Sequence, residues 1–308
     1  MTGTSCVARS SPDGVPGCSD VRFPLSMPRR VSTARRREFG DGLRAAIGAT
    51  GLSSRAVAAM VGWHESKLSD LVQGKGGATE LEVAILLGAC RTPLPEREHL
   101  LALFRETHVK GWWQQHGACS PVRLRTAVGH LAVARSIVDW QAHVVPCFLQ
   151  TADYAREVMR ASVNIPTDEL EERVAAQAEM QGLLRRVSHC TFFIHELALS
   201  LQVGSREVHV EQLQHLLFSG NRPSFSIRIV PAALGAHAGM NGSFTKLDFE
   251  KHEPIVWLQN ENSSLFVEEE SAVAGYGAVA RRLHDVSLDA EQSKVMITQQ
   301  GDATCLLR

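Results

Sequence analysis

"LSSRAVAAMVGWHESKLSDLVQGK", residues 52–75, holds two short helical patterns separated by a glycine. Ser53 or Ser54 caps the first, because a serine hydroxyl accepts a hydrogen bond from the free amides of a helix start. Gly62 ends it. The second pattern puts Leu68, Leu71 and Val72 on one side, and Gly74-Lys75 stops it. Two helices that meet this closely need a small residue at the contact, a glycine in the turn and apolar residues on the inner face of the second helix. Ala58, Gly62, Leu68 and Leu71 supply these in order. An αα-hairpin that only packs a core has the same needs, so the flanks must decide whether the second helix enters a DNA groove.

Upstream, Phe39, Leu43, Ala46 and Ile47 repeat at helical spacing from Arg36 to about Ala49, and Gly51 is a stop signal. Downstream, "ATELEVAILLGAC" is a helix capped near Thr79. Pro93 and Pro95 punctuate, and "EREHLLALFRETH" is a fifth helix. This is a compact all-α domain. Before it, Arg29, Arg30, Arg35, Arg36 and Arg37 crowd residues 29–37. A solvated tail is one reading of them. An arm that neutralises phosphates is the other, and the helices that follow favour it.

With those flanks, residues 52–75 resemble the helix-turn-helix of the XRE family, the phage-repressor type. Two positions depart from the usual pattern: Ser54 stands where the family has glutamine, and His64 where serine or threonine is common. The resemblance implies that Glu65, Ser66 and Asp70 face base edges. It places Ser54, His64, Lys67 and Lys75 nearer the phosphates, and Arg55 and the arginine arm are further candidates for backbone contact by their charge. Carboxylates accept from the cytosine amino group, so Glu65 implies some preference for C·G pairs. They also repel phosphates. Affinity per copy is then modest, and a dimer on a two-fold site is expected.

Beyond this head, "GWWQQHGACSP" (111–121) reads as a joint. Helices are expected over 122–140, 151–161 and 167–186. After Val187 the texture changes. "CTFFIHELAL", "FSIRIVP", "GSFTKLDF", "PIVWLQN" and "SSLFVEEE" are strand-like runs between Gly, Asn and Pro signals. A helix, "EVHVEQLQHLLFSG", lies between the first two. "ESAVAGYGAVARRLHDVSL" and "DAEQSKVMITQQ" close the chain as helices. The expected fold is therefore a five-helix, all-α helix-turn-helix domain followed by an α+β domain with a mainly antiparallel sheet. The divisions are an N-terminal extension (1–28), the DNA-binding head (29–110), the joint (111–122), the α+β body (123–300) and a tail (301–308).

The body's motifs, "VVPCFLQTADYAREVMRA", "HELAL", "VEQLQHLL", "IRIVPAALGAHAGMNGSFTKLDF" and "EEESAVAGYGAVARRLHDVSLDAEQSKVMI", follow in an order that resembles the antitoxin-like domain of many actinobacterial regulators. There are departures. Cys147 replaces a glycine in "PCFLQT", "GHLAVARS" lacks the usual glutamates, and an arginine-rich signature is replaced around Gln177 and Met180. The resemblance implies a transcriptional regulator, often encoded beside a small partner protein, and does not imply an enzyme.

The bulk numbers agree with such a chain. The 308 residues are 44% hydrophobic and 21% charged, with a net charge of −1, so DNA affinity must come from a local patch. The seven cysteines are odd in number, scattered and form no CxxC pair. Neither a zinc site nor a redox motif is supported, and a reducing cytoplasm is expected. Cys90 and Cys147 sit among apolar neighbours and read as small core residues. No apolar run approaches the length of a membrane span. Residues 1–20 are rich in Ser, Gly, Pro and Asp and read as disordered. Met27 begins a stretch that looks more like a protein start.

Other signals are discounted. "GAHAGMNG" lacks the spacing of a dinucleotide fingerprint and reads as a loop in which His237 makes a local hydrogen bond. Glu268, Glu269 and Glu270 read as a solvated helix N-terminus, where acids are favoured. His195-Glu196 lacks metallopeptidase spacing, Glu211 and His215 read as a surface pair, and no nucleophile elbow occurs. No catalytic residue, metal or cofactor is expected.

Three functions follow. The first is a homodimeric regulator binding double-stranded DNA, whose body also captures a small partner protein encoded nearby. The second is an antitoxin-like interaction module with weak or lost DNA binding. The third, a ligand-sensing regulator, needs a pocket with converging polar groups.

Overall fold

A computed structural model describes residues 33–306. The extension, Met27, Arg29 and Arg30 lie outside the described residues. The head has five helices: α1 (Ala34–Ala49), α2 (Ser54–Met60), α3 (Glu65–Val72), α4 (Glu80–Ala89) and α5 (Leu94–Arg105). Thr33 and Ser53 cap α1 and α2 through their hydroxyls, and Thr79 with Glu82 forms a reciprocal capping box on α4. The fifth helix starts at Leu94, earlier than the expected start at Glu96. Pro95 sits in its first turn, where its missing N–H costs nothing. Phe39, Leu43, Val57, Leu68, Leu71 and Leu86 meet in one buried cluster.

The body is an α/β domain on one seven-stranded sheet, ordered β1-β7-β6-β5-β2-β3-β4. Its strands are β1 (Trp112–Gln115), β2 (Ala134–Gln141), β3 (His189–His195), β4 (Phe225–Val230), β5 (Phe244–Phe249), β6 (Ile255–Gln259) and β7 (Ser263–Val267). The helices are α6 (Arg125–Val133), α7 (Ala152–Ala161), α8 (Leu170–Leu183), α9 (Glu196–Ser200), α10 (Arg206–Ser219), α11 (Glu270–Val286) and α12 (Ala290–Leu306). Pairing is antiparallel from β1 through β2, whereas β2–β3 and β3–β4 are parallel. Helices α7–α8 and α9–α10 make the crossovers that parallel strands require. Phe192 and Phe193 enter opposite cores, one on each face of the sheet, as a period of two demands.

The mainly antiparallel sheet agrees with expectation; four segments do not. The joint at 111–122 contains β1, an edge strand paired with β7, so the backbone passes from head to body through the sheet itself. The expected helix over 122–140 is α6 followed directly by β2. Strand β2 lies between β5 and β3, and its Ala134 and Ile137 continue the helical spacing of Ala127 and Leu131 in α6, so the two elements imitate one longer helix. The first expected strand run stops at His195, whose ring caps the short helix α9. The last helix runs on to Leu306, through most of the expected tail.

Candidate nucleic-acid interface

Helices α2 and α3 meet across a turn set by Gly62, whose φ of 70° suits a residue without a side chain. The Trp63 amide donates to the Ala58 carbonyl at 2.8 Å, which locks the turn. Ala58, Leu68 and Leu71 are each only 1% exposed, as their place in the helix-turn-helix core requires. Helix α1 lies so close that a Cβ on Gly40 would stand 2.4 Å from the Val72 carbonyl oxygen. Gly74 ends α3 at a φ of 72°, and the Lys75 amide closes back on the Asp70 carbonyl at 2.8 Å.

The outer face of α3 is polar. His64, Glu65, Ser66, Ser69 and Gln73 are exposed. Ser69 and Gln73 join the residues expected here, since they stand four and eight residues beyond Glu65 and so fall on the same helical face. Gln73 donates to Ser69 at 2.9 Å. Asp70 is half-buried and paired with Lys75 Nζ at 2.7 Å. That contact offsets one of the two acids and also engages Lys75. Lys67 pairs with Glu82 at 2.6 Å and lies 4.5 Å from the centre of the Trp63 ring. Its ammonium hydrogen bond is the first cause holding the Glu82 carboxyl at about 2. Ser54 and Arg55 are exposed at the start of α2.

The arginine run behaves differently from an arm. Arg35 reaches the Gly111 carbonyl at 2.8 Å and Glu106 at 3.0 Å, and its guanidinium sits over Trp112. Arg37 is turned inward, with its side chain 9% exposed. Its Nε donates to His130 Nε2 at 3.0 Å and its Nη2 faces Glu268 at 3.4 Å. Burial brings its pKa down to about 10, against the pull of Glu268 and Asp41. Arg36 has a half-buried side chain whose stem crosses Gly74. Arg35 and Arg37 therefore fasten head to body where a phosphate arm was expected. The physical reason is that α1 begins at Ala34, which puts both arginines on a packed helix.

Glu268 also departs from the expected place. It is not part of a solvated helix N-terminus: its side chain is 6% exposed. It accepts from the amides of Ala34 at 2.5 Å and Gly111 at 3.0 Å. Burial pushes its carboxyl up, and Arg37 opposes that shift. Glu269 and Glu270 do sit at the start of α11. On the far side, α6 carries Thr126, which donates to Glu38, and Arg125, which pairs with Glu96 at 2.7 Å. A cavity of about 1010 Å³ lies between α1, α5 and α6, with Asp41, Glu96, His99, Arg125 and His252 in its wall.

His237 accepts from the Gly239 amide at 3.1 Å, the local loop contact expected of it. Among the described residues, no three His, Cys, Asp or Glu side chains gather as metal ligands, and no helix is long and apolar enough to cross a membrane.

Fold and site together define a helix-turn-helix protein with an α/β body. A helix-turn-helix domain model matches residues 38–100, and a model described as a domain of unknown function, DUF5753, matches residues 124–299. The chain belongs to the DUF5753 family. No curated protein matches it. Among solved structures, the archaeal chromatin protein TrmBL2, described as showing a novel mode of DNA binding, is similar at 11% identity. The likeness covers 80% of this chain and 92% of that one with a TM-score of 0.27, which is too slight to bear on function.

Proposed function

We propose that the protein is a sequence-specific, homodimeric DNA-binding transcription regulator whose α/β body holds two copies together and receives a small partner protein. The observation that carries the DNA reading is the exposed polar face of α3, set on a helix-turn-helix with its core and turn in place. Glu65 and Ser66 read bases, with Ser69 and Gln73 beside them. Ser54, Arg55, His64 and Lys75 lie toward phosphates. Few cations surround this face, so one head binds weakly and two heads on a two-fold site supply the affinity. Selection from random duplexes by the full chain tests this. The expected product is a two-fold motif with half-sites one helical turn apart. Enrichment of no motif would overturn it.

A second reading, an antitoxin-like module that masks a partner and has lost DNA binding, is favoured by one observation. Both lysines near the face are engaged by acids, Lys67 by Glu82 and Lys75 by Asp70. The same selection separates the two.

A further inference from the structure

The body holds a cavity of about 810 Å³ on one face of the sheet. Its floor follows from the strand registers. Asp139 stands opposite Thr245, Thr245 opposite Trp257 and Trp257 opposite Phe266, so these residues form one row across β2, β5, β6 and β7. Thr245 and Trp257 face the cavity, and Met159, Met180 and Leu183 from α7 and α8 wall it. The volume lies within the range of small-molecule sites, roughly 300–1,000 Å³.

The charged groups around this cavity are already occupied. Arg173 is held by Glu169 at 2.7 Å and by the Ser120 carbonyl at 2.8 Å. Arg123 is held by Glu172 and Glu179, and Glu261 accepts from Asn164 at 3.1 Å. Thr245 gives its hydroxyl proton to Asp139 at 2.6 Å. Two polar atoms stand apart from this pattern. Trp257 Nε1 and Ser120 Oγ are buried, and no described group bonds to either. Trp257 is only 4% exposed. A buried indole N–H without an acceptor costs about 1–3 kcal/mol, and a ligand whose acceptor displaces the side chains now covering that atom recovers it.

We propose that this cavity binds an uncharged, mainly apolar small molecule carrying a carbonyl acceptor, with Trp257 Nε1 as its hydrogen-bond donor. Charge complementarity argues against an ionic ligand, since Arg123, Arg125 and Arg173 each have a carboxylate partner and Glu261 is already held by Ser162 and Asn164. The methionines suit an apolar body of adaptable shape, because their side chains are flexible and polarisable. Helix α6 forms part of the boundary. Arg125 and Val128 line both this cavity and the one beneath the head, so a ligand here would lie against the helix on which the head rests.

The probe is Nile red, an uncharged dye with one carbonyl, whose emission moves to the blue in apolar surroundings and to the red when that carbonyl accepts a hydrogen bond. It is titrated into the full chain, with folding of each variant checked by circular dichroism. The expected result is saturable binding at one site per chain. Met180→Trp fills the cavity and weakens binding tenfold or more. Trp257→Phe keeps an aromatic floor but removes the N–H, so it weakens binding several-fold and moves the bound emission further to the blue. Non-saturable binding, binding that ignores Met180→Trp in a folded variant, or a spectrum unchanged by Trp257→Phe would overturn the proposal. The assay contains no DNA, so its result stands independently of the DNA-binding reading.

Discussion

Arg37 on the first helix of the head and Glu268 at the end of β7 face each other at 3.4 Å, with side chains only 9% and 6% exposed. The same carboxylate holds the backbone at the start of α1 and at Gly111. Removing one partner of a buried pair leaves the other charge uncompensated, at a cost of about 3–5 kcal/mol. Glu268→Ala should therefore destabilise the protein by several kcal/mol in urea. Its head should melt before its body. A single unshifted transition would show that this pair does not fasten the two.

His130 gives a pH dependence of defined sign. Burial, with Arg37 nearby, lowers its pKa to about 3 from an ordinary 6.5. Below 6.5 the unfolded chain takes up a proton that the folded chain refuses, so this contribution to stability falls as pH drops from 6.5 toward 3. His130→Gln keeps an acceptor for Arg37 and a donor for the Thr126 carbonyl, and does not titrate. Its stability should vary less with pH across that window, as read from urea midpoints.

Lys67 is engaged by Glu82 at 2.6 Å. Glu82→Gln keeps an oxygen for the α4 cap while removing the charge. The variant should bind DNA several-fold more tightly at low salt, with a steeper salt dependence. An unchanged slope would place Lys67 away from the phosphates.

Base reading and backbone binding should separate by mutation. Glu65→Ala should change which sequence is preferred. Arg55→Ala with Lys75→Ala should weaken all sequences alike, and should reduce the salt slope by about 0.9 for each phosphate no longer neutralised. Competition with a panel of duplexes distinguishes the two effects. Preference unchanged in Glu65→Ala would mean that α3 is docked in another register.

The head was legible because its signals are local. Ser53, Thr79, Gly62 and Gly74 mark ends that the chain makes with its own neighbours. What escaped depends on distant partners. Ala127 and Leu131 of α6 and Ala134 and Ile137 of β2 share one helical spacing, and only pairing with β5 and β3 makes the second half a strand. Trp112 and Trp113 look like loop aromatics until β7 is beside them. The arginine run shows its charge in sequence, but Glu268 lies 231 residues from Arg37. Nothing local tells a phosphate arm from an inward clamp. Ser69 and Gln73 were within reach of helical spacing, but the repressor-type pattern gives weight to other positions of the same helix.

The most direct test of the DNA-binding account is fluorescence anisotropy of the full chain on the DNA upstream of its own coding sequence, across several salt concentrations. The account expects saturable binding that survives scrambled competitor, with affinity falling linearly on logarithmic axes as salt rises. Binding no stronger than to competitor, at every salt concentration, would contradict it.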